Sequence, residues 1–163
     1  MRTVAIAIAT VALLASATAA LAAPASVSVS IGPALQAKAA KLGVRDVDQL
    51  AAELRTAVER QVVRRGAYEG ARIELVLADA APTRPTFQQM SDRPSLSFES
   101  FGLGGAEIGG RAIAADGAVT PIHFRSYESD IRQSRRGGTW SDADAAIQRF
   151  AHDFARGERL ASR

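Results

Sequence analysis

The chain has 163 residues, with 20 Lys and Arg against 17 Asp and Glu, two His and no Cys. That near balance excludes the strongly basic footprint of a nucleic-acid-binding domain. The lack of cysteine excludes a disulfide framework, a thiol nucleophile and a lipid-modified N-terminal Cys. Arg outnumbers Lys 18 to 2, and the high pKa of guanidinium raises the isoelectric point without creating a basic patch.

Residues 1–22 have the layout of an export signal. Arg2 precedes an apolar run, Val4 to Leu14, broken only by Thr10, and small residues then lead to Ala20-Leu21-Ala22. Cleavage is expected after Ala22, with a second small-residue site at Ala25. The stretch to Ala23 is long enough to span a bilayer, which takes roughly 20 residues, but its Ala, Ser and Thr half inserts weakly. The expectation is therefore a periplasmic protein that is not a lipoprotein and keeps no transmembrane segment after cleavage. The mature chain, 23–163, carries a net charge of +2 and suits one hydrophobic core and one domain.

Ser26 to Ile31 alternates serine with Val27, Val29 and Ile31, the pattern of a strand with one wet face. Gly32-Pro33 ends it and opens a short helix over 34–42, closed by Gly43. Asp46 and Gln49 form a capping-box pattern. Val47, Leu50, Ala51, Leu54, Ala57, Val58 and Val62 then make one helical stripe. Gly66 is placed to close this helix in the left-handed conformation.

Ile73, Leu75 and Leu77 define a second strand. From Ala78 to Ser95 the pattern dissolves into a loop with prolines at 82, 85 and 94, in which Thr86 to Gln89 can cap a single helical turn. Leu96 and Phe98 are read as the start of a third strand, with a bulge near Ser100 where the apolar parity shifts. Asp116-Gly117 marks a hairpin. A three-residue loop, Ala115 to Gly117 with Gly117 left-handed, sets Ile108 opposite Phe124 and Gly110 opposite Ile122, keeping one face apolar. Pro121 points to an edge strand or a bulge. After a polar loop over 128–139, Ser141 to Asp144 cap a second long helix with Trp140 at N′. Ile147, Phe150, Ala151 and Phe154 form its stripe, and it ends near Gly157.

The expected fold is α+β. It is a two-layer sandwich in which an antiparallel or mixed sheet of about four to five strands carries two long helices on one face, in the order β-α-β-β-β-α. The expected core is Val29, Leu50, Leu54, Val58, Ile73, Leu75, Leu77, Phe98, Ile108, Phe124, Ile147, Phe150 and Phe154.

Catalytic signals are sparse. A nucleophile needs an adjacent base, but there is no Gly-x-Ser-x-Gly elbow, and His123 and His152 read as surface histidines. Asp144, Gln148 and His152 share a helical face but make a weak metal set. The glycine-rich run 102–110 leads into a strand, not a helix, so it reads as a site of close backbone packing and not as a phosphate loop. No cofactor motif is present.

The binding candidates are two loops. Arg132, Arg135 and Arg136 can grip an anion, and Arg84, Phe87 and Gln88 sit in the long 78–95 loop, where structureless length is a mark of function. Three readings follow. The leading one is a non-enzymatic periplasmic domain that binds a protein or envelope component. The alternative is a small-molecule or anion-binding module using the arginine loops. The remaining one is a hydrolase using carboxylates such as Asp79, Glu99 or Glu107. The segments Pro82 to Thr86, Gly104-Gly105-Ala106 and Thr139 to Ala143 resemble a family of uncharacterised exported proteins of Gram-negative bacteria. The resemblance implies a periplasmic address and assigns no residue a role.

Overall fold

A computed structural model describes residues 25–135 and 137–157. The expected signal segment and Arg136 lie outside the described residues. Strand β1 (Ser26–Ile31) is followed by helices α1 (Pro33–Leu42) and α2 (Val44–Arg65). Next come strand β2 (Arg72–Ala81), the short helix α3 (Phe87–Asp92), strands β3 (Gly105–Ile113) and β4 (Val119–Tyr127), and helix α4 (Ser141–Ala155). The sheet order is β1-β2-β3-β4. β1 runs parallel to β2, and the other two pairings are antiparallel. The α+β sandwich with a mixed four-stranded sheet matches the expectation from periodicity.

The local rules explain most elements. Pro33 occupies the first turn of α1, where its missing N–H costs nothing. Gly66 closes α2 at φ 60°, donating its N–H to the carbonyls of Val62 and Val63. The β3–β4 turn has the expected three-residue form: Gly117 sits at φ 87°, and Ala114 donates to the Ala118 carbonyl at 2.9 Å. Ile108 faces Phe124 and Gly110 faces Ile122, as the apolar parity requires.

Helix α2 packs over β1, and α4 packs over β3 and β4. Leu50, Leu54, Val58, Ile73, Leu75, Leu77, Ile108, Phe124, Ile147 and Phe150 are almost fully buried between the layers. An aromatic ladder ties the layers together. Tyr68 stacks on Phe154 at 4.5 Å, and Phe150 contacts both Phe154 and Phe124 at 5.5 Å. Burying each such ring contributes roughly 2–3 kcal/mol.

β2 holds an irregularity. The register advances from Leu77↔Ile108 to Asp79↔Glu107, leaving Ala78 as an extra residue. The bulge expected near Ser100 is not formed, since no strand runs there; the irregularity at Ala78 is a separate one, on β2. The strand continues through it to Ala81 instead of dissolving at Ala78.

Three other expectations are corrected. Residues 95–99 form successive turns, with Leu96 donating to the Arg93 carbonyl and Ser100 to that of Ser97. Phe98 is 49% exposed and is not in the core. Two apolar residues in alternation behind Pro94 are too few to hold a ladder. Helix α2 starts at Val44 with Gly43 as its N-cap and no side-chain cap, so Asp46 lies inside the first turn. At the start of α4, Trp140 is the N-cap and Ser141 the first helical residue. Of the expected core, Val29 is partly buried against the cluster.

Candidate binding site

The two loops singled out from the sequence meet at the N-terminus of α4. The N–H groups of Thr83 and Arg84 both donate to the Thr139 carbonyl, at 2.7 and 3.2 Å. The Thr83 hydroxyl accepts from the Asp142 N–H at 3.0 Å. Asp142, itself buried, gathers the rest. Its Oδ2 accepts from the Gly104 N–H at 3.2 Å and the Ser134 hydroxyl at 2.8 Å, and its Oδ1 accepts from the Arg135 N–H at 2.8 Å. Burial opposes ionisation of this carboxyl. The donors from Arg135, Ser134, Gly104 and Thr83 outweigh it and hold its pKa below the ordinary value. The helix N-terminus favours the same charge.

Gly104 explains part of the glycine run. A Cβ there would lie 2.7 Å from Thr83 Oγ1 and 2.9 Å from Asp142 Cβ. At Gly110, with φ 139°, a Cβ would meet the Glu74 carbonyl oxygen at 2.1 Å. Both positions exclude a side chain for packing reasons, as the strand context of the run implied.

Beside this knot lies a polar cleft of about 310 Å³ between the end of β4, the 128–135 loop and α4. Arg135 and Arg149 line it, along with Ser126, Glu128 and Gln133, and Arg149 Nη1 donates to Ser126 Oγ at 3.0 Å. The same two arginines border an adjoining, more open groove with Ser141 and Gln148. Among the candidates, Arg135 is thus brought to a concavity. Arg132 is instead engaged by Asp130, with the carboxylate accepting from both Nε and Nη2. Arg84 donates to the Phe98 carbonyl. Arg149 was missed in the sequence, where a lone base on a helix reads as solvated. Its spacing of four from Ala145 and seven from Asp142 was the available signal.

The other half of the loop presents a knuckle. Phe87 is 76% exposed and meets Phe98 edge-on, with ring centroids 5.3 Å apart. The knuckle is held from below. Thr86 and Gln89 form the expected reciprocal capping box, Arg84 ties the backbone at Phe98, and the Thr83–Thr139 bond anchors the loop to α4. Gln88 donates to Asp92 at 3.0 Å on the exposed side of α3.

The carboxylates are placed as follows. Asp79 and Glu107 are register partners on the uncovered face of the sheet. Lys38 neutralises Asp79 at 2.8 Å, and His123 approaches Glu107 at 3.5 Å. The phenol of Tyr127 stands in their field. Burial first, then the charges of Asp79 and Glu107, raise its pKa well above the ordinary phenol range. Glu99 is exposed on the turn segment and joins neither of them. A carboxylate pair that sequence reasoning did not anticipate lies between α2 and α4. Burial and the neighbouring Glu53 push Asp144 up to about 6. Asp144 Oδ1 and the Trp140 indole N–H are enclosed without a regular partner.

Among the described residues no group of three or more His, Cys, Asp or Glu could hold a metal ion, and no helix is long and apolar enough to cross a membrane. No protein-family model matches the chain, and neither a curated protein nor a solved structure is significantly similar to it.

Proposed function

We propose that the chain is a non-enzymatic domain exported to the periplasm, where it binds an envelope protein through the Phe87–Phe98 knuckle. The single observation that supports this is the contact itself. Two phenylalanine rings pack against each other in solvent, on a loop braced by a capping box and by the α4 knot. An unsupported apolar pair would collapse inward or be replaced by polar residues. A braced one matches the rigid aromatic anchors that dominate protein interfaces. The occupant it fits is an apolar recess on a protein partner. Export, cleavage after Ala22 and kinship with the uncharacterised exported family belong to the same proposal.

The test is a cross-linked pull-down from envelope extract with the wild type and with Phe87→Ser/Phe98→Ser. The expected result is a specific partner captured by the wild type and lost from a variant whose melting temperature is nearly unchanged. Recovery of the same proteins by both would overturn the reading. Intact-mass measurement of the exported product tests the address, with a mature start at Ala23 expected.

A second reading rests on the Arg135–Arg149 cleft: a small anion held between two guanidinium groups and the Ser126 and Gln133 side chains. Thermal shift against phosphate, sulfate and simple carboxylates tests it, since a ligand at 100 times its Kd adds about 2.7 kcal/mol. No shift with any of them, or the same shift in Arg149→Ala, removes it.

A further inference from the structure

The two edges of the sheet are treated differently. β4 carries Pro121, which lacks an N–H, together with His123 and Arg125, devices that discourage another strand from pairing. β1, Ser-Val-Ser-Val-Ser-Ile, has no proline, charge or bulge. Among the described residues no strand lies beyond it.

The direction of its free hydrogen bonds follows from those already made. Ser26 donates to the Ala71 carbonyl at 3.0 Å and Gly32 to that of Leu77 at 2.9 Å. In an extended chain the N–H and C=O of one residue point to the same side and alternate along the strand. Val27, Val29 and Ile31 therefore turn theirs outward. We propose that this edge pairs antiparallel with β1 of a second copy, joining two sheets into one continuous sheet.

The strand is complementary to itself. A two-fold axis through Val29 puts Val29 opposite Val29, Val27 opposite Ile31 and Ser28 opposite Ser30. Apolar side chains then stay on the helix-covered face and serines on the open one. α2 packs over β1, so the pairing also brings the two copies of α2 side by side. Helical spacing puts Val44, Asp48, Ala51 and Arg55 on the flank of α2 away from α4. Val44 is 53% exposed, and an antiparallel copy can offer Asp48 to Arg55.

Sedimentation equilibrium on the purified full chain, over a wide concentration range, tests this. Amide hydrogen exchange provides a second readout that needs no variant. The expected results are a monomer–dimer equilibrium and protection of the Val27, Val29 and Ile31 amides that rises with concentration. Ser28→Lys/Ser30→Lys places like charges across the seam on the solvated face and weakens association about tenfold or more. A wild type that stays monomeric, a dimer whose β1 amides exchange freely, or a lysine variant that associates as well as the wild type each overturns the proposal. The knuckle at Phe87 lies outside this seam, so loss of partner capture leaves the dimer standing and the reverse also holds.

Discussion

The N–H of Asp142 donates to the hydroxyl of Thr83 across 59 residues of chain, at 3.0 Å. With the donors on Gly104, Ser134 and Arg135 aimed at the same carboxylate, four segments depend on one side chain. Removing it orphans buried donors, and each orphan costs about 1–3 kcal/mol. Asp142→Ala is expected to lower stability by about 2–4 kcal/mol in urea denaturation, with Thr83→Val losing less.

The same residue sets an acid limit. Its folded pKa is lowered, so its contribution is complete above the unfolded value of 3.8 and is lost as pH falls through the folded one. Stability curves below pH 4 should fall more steeply for the wild type than for Asp142→Asn.

Asp144 works in the opposite sense. Its folded pKa, about 6, lies above the ordinary 3.8. The folded state therefore holds a proton that the unfolded state has released, and stability declines as pH rises between about 4 and 6. After allowance for solvent screening the decline is about 1 kcal/mol. Denaturation of Asp144→Asn between pH 4 and 7 should lack it, and an unchanged slope would remove Asp144 as its source.

The glycines give a graded test. Gly110→Ala forces a methyl group onto the Glu74 carbonyl and should cost more than 3 kcal/mol or prevent folding. Gly117→Ala has open space at φ 87° and should cost only about 1 kcal/mol, with Gly117→Asn nearly neutral. Melting temperatures of the three variants decide the order.

Phe150 lies at the centre of the aromatic ladder and is fully buried. Phe150→Ala should cost about 3–5 kcal/mol in urea denaturation, against less than about 1 kcal/mol for Phe87→Ala on the surface.

The layered fold and the β3–β4 register were readable because each depends on a repeated pattern. A hairpin alignment one residue off would set Ile108 and Gly110 on the opposite face from Ile122 and Phe124. The knot was not readable. Thr83, Ser134 and Asp142 are ordinary polar residues of loops and caps, and only the folded chain reveals that they share a carboxylate. Leu96 and Phe98 show the opposite failure: a local alternation with no neighbouring strand to complete it. The 78–95 loop and the arginine loop were separate candidates in the sequence, and only the folded chain brings Thr83, Arg84 and the Arg135 backbone together at the start of α4. The Arg132 side chain stays apart, because Asp130, two residues away, satisfies it locally.

The extra residue in β2 makes chain length at this point as consequential as side-chain identity. Counting by twos from Ile73, Leu75 and Leu77 would aim Asp79 into the apolar layer. The supernumerary Ala78 turns it out toward Lys38 and lets Ala80 take the inward place. Exchanging Ala78 for another small residue leaves this arithmetic intact, and deleting it restores plain alternation with Asp79 still outward, whereas straightening the bulge with Ala78 kept in line would drive a carboxylate into oil.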